Sequence, residues 1–422
     1  MTYPYNWAGN YRFNAARLHQ PQTVEQIQEL VSSSRKIKVL GSRHSFNGIA
    51  DTTGEMLSLE HWDKVIGLDR EHLTVTVQGG IRYGSLSQYL HHEGFALHNL
   101  ASLPHISVIG ACATATHGSG VGNGNLATAV SGMKLVTASG KVENLSYEQG
   151  AEQLQAAVVG LGGLGVVTEL TLDIVPTFMV RQDVYENLPL EQLEAHFDEI
   201  VSSAYSVSLF TDWCGNSIRQ VWLKSKVADA AAFVTEPTFF GATPATRPMH
   251  PIASVSAENC TEQRGVLGPW HERLPHFRME FTPSHGEELQ SEYFVPRIHA
   301  VEALQAVFEL GEELAPLLQI SEVRTIAADA LWMSPCYRQD CVGFHFTWKK
   351  DWERVKLLLP KLEERLAPFH TLPHWGKLFT MSPAQVEAVY EKLPDFRRQL
   401  LSYDPEGKFR NAFLETYLFG SH

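Results

Sequence analysis

Three stretches of this chain carry side chains of the types that do chemistry. The first is Lys38-Val39-Leu40-Gly41-Ser42-Arg43-His44-Ser45-Phe46-Asn47, where a short β-branched run feeds a tight polar loop that presents an imidazole. Gly41 permits a bend that a residue with a Cβ resists. Successive backbone N–H groups in such a bend converge on an anion, and the Ser42 and Ser45 hydroxyls donate to phosphate oxygens without adding charge. His44 is then the reactive member of a phosphate-cradling loop, or else an ordinary surface histidine. The second stretch is a pair of strand-like runs, 320–326 and 343–348. At period two, Glu322 and Arg324 share one face, as do His345 and Thr347. Such faces suit a polyhydroxylated ligand; the plain alternative is an antiparallel sheet with its polar side in water. The third is Lys377 in His374-Trp375-Gly376-Lys377, and a lone lysine is normally solvated.

Elements that position these groups are legible around them. Residues 23–33 have helical spacing, 37–40 read as a strand, 73–77 alternate and 83–92 are amphipathic. Gly79-Gly80 ends one strand, and Gly94 stops a helix before 95–97. From 100 to 125 the composition shifts to Gly, Ala, Ser and Thr, a long loop that lets a ligand approach closely, with Ile106, Val108 and Ile109 arguing against disorder. After Pro176 the texture changes. Residues 205–211 and 218–223 read as strands and 298–310 as a helix, with a Pro-rich irregular piece at 237–251. An α+β chain of two domains is expected.

Composition narrows the function classes. At 422 residues with 44% apolar side chains, the chain can bury more than one core. Its net charge of -13 repels phosphate backbones and anionic membranes, so no nucleic-acid or membrane partner is expected. Cys112, Cys214, Cys260, Cys336 and Cys341 form no C-x-x-C pair and are odd in number. Reduced thiols, no metal and a cytoplasmic location are expected. Residues 1–10 lack a basic start followed by an apolar run, and no later segment has 18 uninterrupted apolar residues. A soluble, unexported protein is the corresponding expectation.

One motif misleads. Gly160-Leu161-Gly162-Gly163-Leu164-Gly165 matches the dinucleotide fingerprint G-x-G-x-x-G, but that mechanism needs a strand before the glycines and a helix N-terminus after them. Here 153–159 has helical character and 166–175 alternates as a strand. These glycines instead let a backbone pass close to something flat.

The loop 41–47, the run 101–110, the motif Ala113-Thr114-Ala115-Thr116-His117-Gly118 and the turn 162–168 resemble, in order and spacing, the FAD-binding half of the vanillyl-alcohol-oxidase-type flavoproteins. More narrowly, Asn259-Cys260-Thr261-Glu262-Gln263, Pro269-Trp270-His271-Glu272-Arg273, residues 288–293, 373–377 and 404–409 resemble the bacterial alditol oxidases, also called xylitol oxidases. The similarity spans nearly the whole chain. It implies an FAD-binding domain at 1–176, a substrate domain with a large antiparallel sheet flanked by helices at 177–370, and a segment 371–422 returning to the flavin domain. It implies FAD joined covalently to His44 through the 8-methyl carbon. Val39, Leu40, Gly41, Ser42, Arg43, Ser45, Ser102, Ser107, Gly110, Thr114, Ala115, Thr116, His117, Gly118, Val167 and His374 are the cofactor contacts it implies. The family loop commonly has glycine where this chain has Arg43, so either that glycine is not needed for its conformation or the loop differs locally.

The same resemblance implies polyol contacts at Ser102, Glu322, Arg324, Thr347, Lys377 and Gln290, with His345 beside them, in a monomer acting on a small polyol and O2. Oxidising a primary alcohol sends a hydride from C1 to flavin N5 and a proton to a nearby base. Arg324 and Lys377 then polarise the C1 oxygen, His345 or Lys377 takes its proton, and Glu322, Ser102 and Thr347 hold hydroxyls. Reoxidation by O2 would release H2O2. Two alternatives stay open: an aldono-1,4-lactone oxidase or dehydrogenase on the same flavin domain, and a non-catalytic flavin or polyol binder.

Overall fold

The computed structural model describes residues 5–227, 236–281 and 286–420. Thr23 accepts a hydrogen bond from Gln26 N and so caps the helix Val24–Ser33, whose Ile27 and Val31 are buried. That helix covers a small parallel sheet in which Glu55–Ser58 lies between Arg17–His19 and Ile37–Leu40. A separate antiparallel sheet runs in the order Val65–Asp69, Thr74–Gln78, Val166–Asp173, Val130–Val136, Val142–Ser146. The helix Tyr83–His92 stands where the spacing predicts it. The 100–125 stretch is not wholly loop: its small residues allow a short helix, Val108–Cys112, to form.

The larger sheet of the described residues is antiparallel, in the order Thr243–Pro244, Met179–Pro189, Ser217–Val227, Ser206–Thr211, Leu318–Ile326, Cys341–Lys349, Glu288–Pro296, Leu372–Pro373. Only Thr243–Pro244 of the Pro-rich piece pairs with a strand, because proline cannot donate to the ladder. One face of the sheet carries Phe344, Phe346 and Trp348, all fully buried. Each contributes about 2–3 kcal/mol of apolar burial. On that face Trp213 Nε1 donates to Ser321 Oγ (2.7 Å), Trp348 Nε1 to Ser291 Oγ (3.1 Å) and Tyr293 Oη to Glu363 Oε1 of the helix Trp352–Leu366 (2.7 Å). The opposite face is polar, and it is buried too: Glu322, Arg324, His345 and Thr347 are 5–8% exposed. A solvated polar side is thereby overturned, because the loops of the first 176 residues lie against it.

The glycine turn at 160–165 joins the helix Tyr147–Val158 to the strand Val166–Asp173, the reverse of a dinucleotide-binding turn. Its conformation serves packing. Leu161 and Gly162 take φ of 51° and 64°, and a Cβ on Gly163 would lie 2.7 Å from Leu400 Cδ2 of the helix Leu393–Tyr403. The chain's last segment closes on the first: Ile37 N donates to Lys408 O (3.0 Å), and Phe409 joins Ile27, Val31, Ile37 and Trp62 in one core cluster. Lys38, 1% exposed, donates its three protons to Leu161 O (3.3 Å), Gly162 O (2.9 Å) and Phe409 O (3.2 Å). Burial pulls its pKa down to about 7, yet three carbonyl acceptors match the ammonium form.

Lys38→Met leaves those carbonyls without donors and is expected to destabilise the fold by about 3 kcal/mol. A thermal melt checks this, and an unchanged midpoint would mean that the cage contributes nothing.

Candidate active site

The histidine loop leaves the sheet at Leu40 and bends where a Cβ on Gly41 would come within 2.9 Å of Ser107 Oγ. Ser42 and Ser107 clasp each other, Ser107 N donating to Ser42 Oγ (3.2 Å) and Ser42 N to Ser107 Oγ (3.4 Å). Arg43 has φ of 62°. The left-handed conformation is therefore kept without glycine, at a cost of about 1–2 kcal/mol. Neighbouring segments hold it. Trp7 N donates to Arg43 O (2.8 Å), Asn6 Nδ2 to Ser45 O (2.9 Å), Asn10 Nδ2 to Phe46 O (2.8 Å) and Phe46 N to Gly376 O (2.8 Å). Asn47 Nδ2 bridges Trp375 O (2.9 Å) and Lys377 O (2.8 Å). The Trp7 ring lies 4.5 Å from that of His44. Burial, then the nearby charges of Lys377 and His105, push the His44 pKa down to about 4. Its imidazole is neutral and nucleophilic at neutral pH.

Across a cavity of about 530 Å³ stands the polar face of the large sheet. Register places Glu322 and Glu292 on either side of His345, and Gln290 beside Thr347. The hub is Glu292, 1% exposed. Its Oε1 accepts from Arg324 Nη2 (2.9 Å) and lies 3.2 Å from His117 Nε2, while Oε2 accepts from Lys377 Nζ (2.6 Å). Burial alone would raise its pKa, but Lys377, His117 and Arg324 together hold it well below the usual carboxylate range. Burial likewise tends to raise Glu322, and Arg324 and His276 outweigh it, so this carboxylate is also ionised. Arg324 is pushed up, Glu322 and Glu292 overcoming its desolvation, and its Nη1 donates to Ser102 Oγ (3.3 Å).

Lys377 Nζ also lies 2.7 Å from His345 Nδ1, and His345 Nε2 lies 3.1 Å from Thr347 Oγ1. Burial and the Lys377 charge drop the His345 pKa to about 4. The neutral ring accepts from lysine at Nδ1 and donates to threonine at Nε2, which frees the Thr347 proton. Burial pulls Lys377 downward as well, with Glu292 opposing. His374, held far below its ordinary pKa by burial and by Lys377, accepts Gly376 N at Nδ1 (3.0 Å). This turn carries Lys377 into the cavity.

The residues expected from the sequence thus meet in one place, with two exceptions. Ala115 and Gly118 line neither this cavity nor its neighbour: Ala115 is 1% exposed, and a Cβ on Gly118 would sit 2.4 Å from Leu100 O. They pack behind the wall. Glu292, His276 and Lys224 were missed. The run 288–293 carries a period-two signal, Gln290 and Glu292 on one side, that marks Glu292; His276 and Lys224 leave none.

Residues 15–146 match the FAD binding domain family and residues 282–417 the D-arabinono-1,4-lactone oxidase family. An alditol oxidase from Streptomyces sp. (strain IKD472 / FERM P-14339) is 48% identical over 418 residues, covering 98% of this chain and 99% of that protein. This chain belongs to the alditol oxidase family. It is an FAD-dependent oxidoreductase with a small-molecule substrate. Among solved structures, cholesterol oxidase from B. sterolicum superposes with a TM-score of 0.80 at 13% identity, covering 98% of this chain and 96% of that one. Glucooligosaccharide oxidase from Acremonium strictum, which bears 6-S-cysteinyl, 8α-N1-histidyl FAD, superposes with a TM-score of 0.73 at 15% identity, covering 97% and 93%. At those identities the likeness is one of fold.

The residues present fit such a cofactor. A second cavity of about 180 Å³ shares Val39 to Arg43, Gly110 and Gly162 with the first and reaches Gly79, Gly80 and Val167. A long crevice walled by small residues therefore runs from the polar sheet face past His44. Among the described residues no cluster of three or more His, Cys, Asp or Glu is placed to hold a metal, and no helix is long and apolar enough to cross a membrane.

Glu292→Gln keeps the shape and removes the charge that balances Arg324 and Lys377. It is expected to destabilise the protein by about 3 kcal/mol and to slow flavin reduction by on the order of 10²-fold. Melting and stopped-flow absorbance measure both; a variant with wild-type values would demote Glu292 to packing.

Proposed function

We propose that this alditol oxidase family member oxidises the terminal primary alcohol of an acyclic polyol such as xylitol or sorbitol to the aldose, releasing H2O2, with FAD joined covalently to His44. The observation that carries the reading is the facing of a neutral, nucleophilic His44 and the Lys377–His345 pair across one cavity. FAD, when bound, supplies the acceptor for the hydride leaving C1 and hands its electrons to O2. Its phosphates would lie against Gly41, Ser42, Ser107 and Gly110, with Thr114, Thr116 and His117 along the opposite wall.

The chain's own groups account for the rest. Lys377 and Arg324, both ionised beside Glu292, favour negative charge developing on the C1 oxygen. Lys377 Nζ takes the hydroxyl proton as it passes one of its own to His345 Nδ1, 2.7 Å away, and the Glu292 carboxylate stabilises the imidazolium so formed from 3.8 Å. Ser102, Thr347, Gln290 and ionised Glu322 bind the remaining hydroxyls. A polyol rather than a ring is favoured because donors and acceptors extend along three adjacent strands. The alternative substrate, an aldono-1,4-lactone, is raised by the family match at 282–417.

We assign 1–176 to the flavin domain, 177–370 to the substrate domain and 371–422 to a returning segment; the separate sequence ranges of the sheets support the boundary at 176, while Leu372–Pro373 of the last segment still pairs with the large sheet. A cytoplasmic location, supported by five unpaired cysteines, and a monomeric state are the accompanying proposals.

Acid precipitation is expected to leave the yellow chromophore with wild-type protein and release it from His44→Ala. Lys377→Met is expected to retain FAD and lose anaerobic reduction by about 10²–10⁴-fold; an unchanged rate removes Lys377 from the chemistry. Peroxide yields from xylitol, sorbitol and an aldono-1,4-lactone compare the two substrates, and a faster lactone overturns the polyol reading.

A further inference from the structure

Farther along the same polar sheet face lies a buried cation outside the reaction as described. Lys224, 1% exposed, stands on the strand Ser217–Val227 and does not line the cavity. Its Nζ has three acceptors: Leu274 O (2.5 Å), Pro275 O (3.1 Å) and His276 Nδ1 (2.9 Å). Three acceptors consume the three protons of an ammonium group. His276 Nδ1 must then accept, so the ring proton sits on Nε2 and donates to Glu322 Oε1 (2.7 Å). The imidazole is fixed otherwise as well, edge-on to Phe210 (5.5 Å) and Trp222 (5.3 Å). Its backbone N donates to Ser102 O (3.1 Å).

We infer that Lys224 and His276 are positioning residues that lock one oxygen of Glu322, so that its carboxylate is aimed at a polyol hydroxyl other than the one oxidised. This rests on the polyol reading of the cavity. A carboxylate held ionised so firmly is a poor base, so it accepts a hydrogen bond from a hydroxyl that keeps its proton. Neither Lys224 nor His276 has a free polar atom with which to touch the reacting carbon's oxygen. Their influence therefore falls on substrate affinity rather than on turnover.

The relay is also pH-sensitive. Burial draws the Lys224 pKa down to about 7, against the pull of Glu322 and Cys260 and with the push of Arg324; His276, at about 4, stays neutral throughout. Below the lysine pKa the ammonium is present and the ring is locked. Above it two protons serve three acceptors, and Nδ1 of His276 can lose its donor. Polyol KM is thus expected to rise with pH through about 7, with kcat little changed.

The test uses flavin-loaded holoenzyme and peroxide release from xylitol between about pH 5.5 and 9. Lys224→Met is expected to raise KM at about pH 6 by roughly tenfold, to leave kcat within about threefold and to flatten the KM profile. In a Glu322→Gln background the same substitution is expected to add nothing. His276→Asn still accepts from Lys224 but cannot reach Glu322, so it keeps the lysine capped should Lys224→Met fold poorly, and it is expected to raise KM equally. Wild-type KM and pH profile in His276→Asn, or multiplicative effects in the double variant, overturn the relay while leaving polyol oxidation standing. A wild-type enzyme that turns over no polyol overturns the substrate reading instead.

Discussion

The site depends on a single buried carboxylate that two buried cations share. Removing Glu292, Arg324 and Lys377 from water costs several kcal/mol per ion, and only close, multiple contacts repay it. Glu292 has them on both oxygens, from the next strand but one and from the turn after Leu372–Pro373. The requirement fixes geometry as much as energy. The strands Glu288–Pro296, Cys341–Lys349 and Leu318–Ile326 must keep their register, because a one-residue slip would turn the whole polar set into the Phe344, Phe346 and Trp348 core.

The same turn that delivers Lys377 also receives the histidine loop. Phe46 and Asn47 bond to the backbone of Trp375, Gly376 and Lys377, while Asn6, Trp7 and Asn10 grip the loop from the other side. Two segments from the start of the chain and one from near its end thus share one rigid joint. The left-handed Arg43 is tolerable there because its surroundings over-determine its conformation.

Local signals in the sequence were strong where one element suffices. The strand Ile37–Leu40 and the helix Tyr83–His92 stand where periodicity puts them, and the order of elements around 160–165 rules out the dinucleotide fingerprint. Period two puts Glu322 with Arg324 and His345 with Thr347, but could not say whether water or protein covers them. That depends on contacts between distant segments. Glu292 was recoverable from the alternation beside Gln290. Lys224 and His276 were not, because their meaning lies in a strand lysine touching a loop 52 residues away.

The ammonium cage of Lys38 has a consequence for biosynthesis. Its acceptor Phe409 lies 371 residues downstream, so the strand that launches the histidine loop has an incomplete set of partners until the C-terminal region leaves the ribosome. At about 5–20 residues per second that delay is roughly 20–70 s. A nascent chain truncated before Lys408 therefore keeps the loop's contacts with 6–10 and 375–377 but leaves the Lys38 ammonium one acceptor short at the base of the loop.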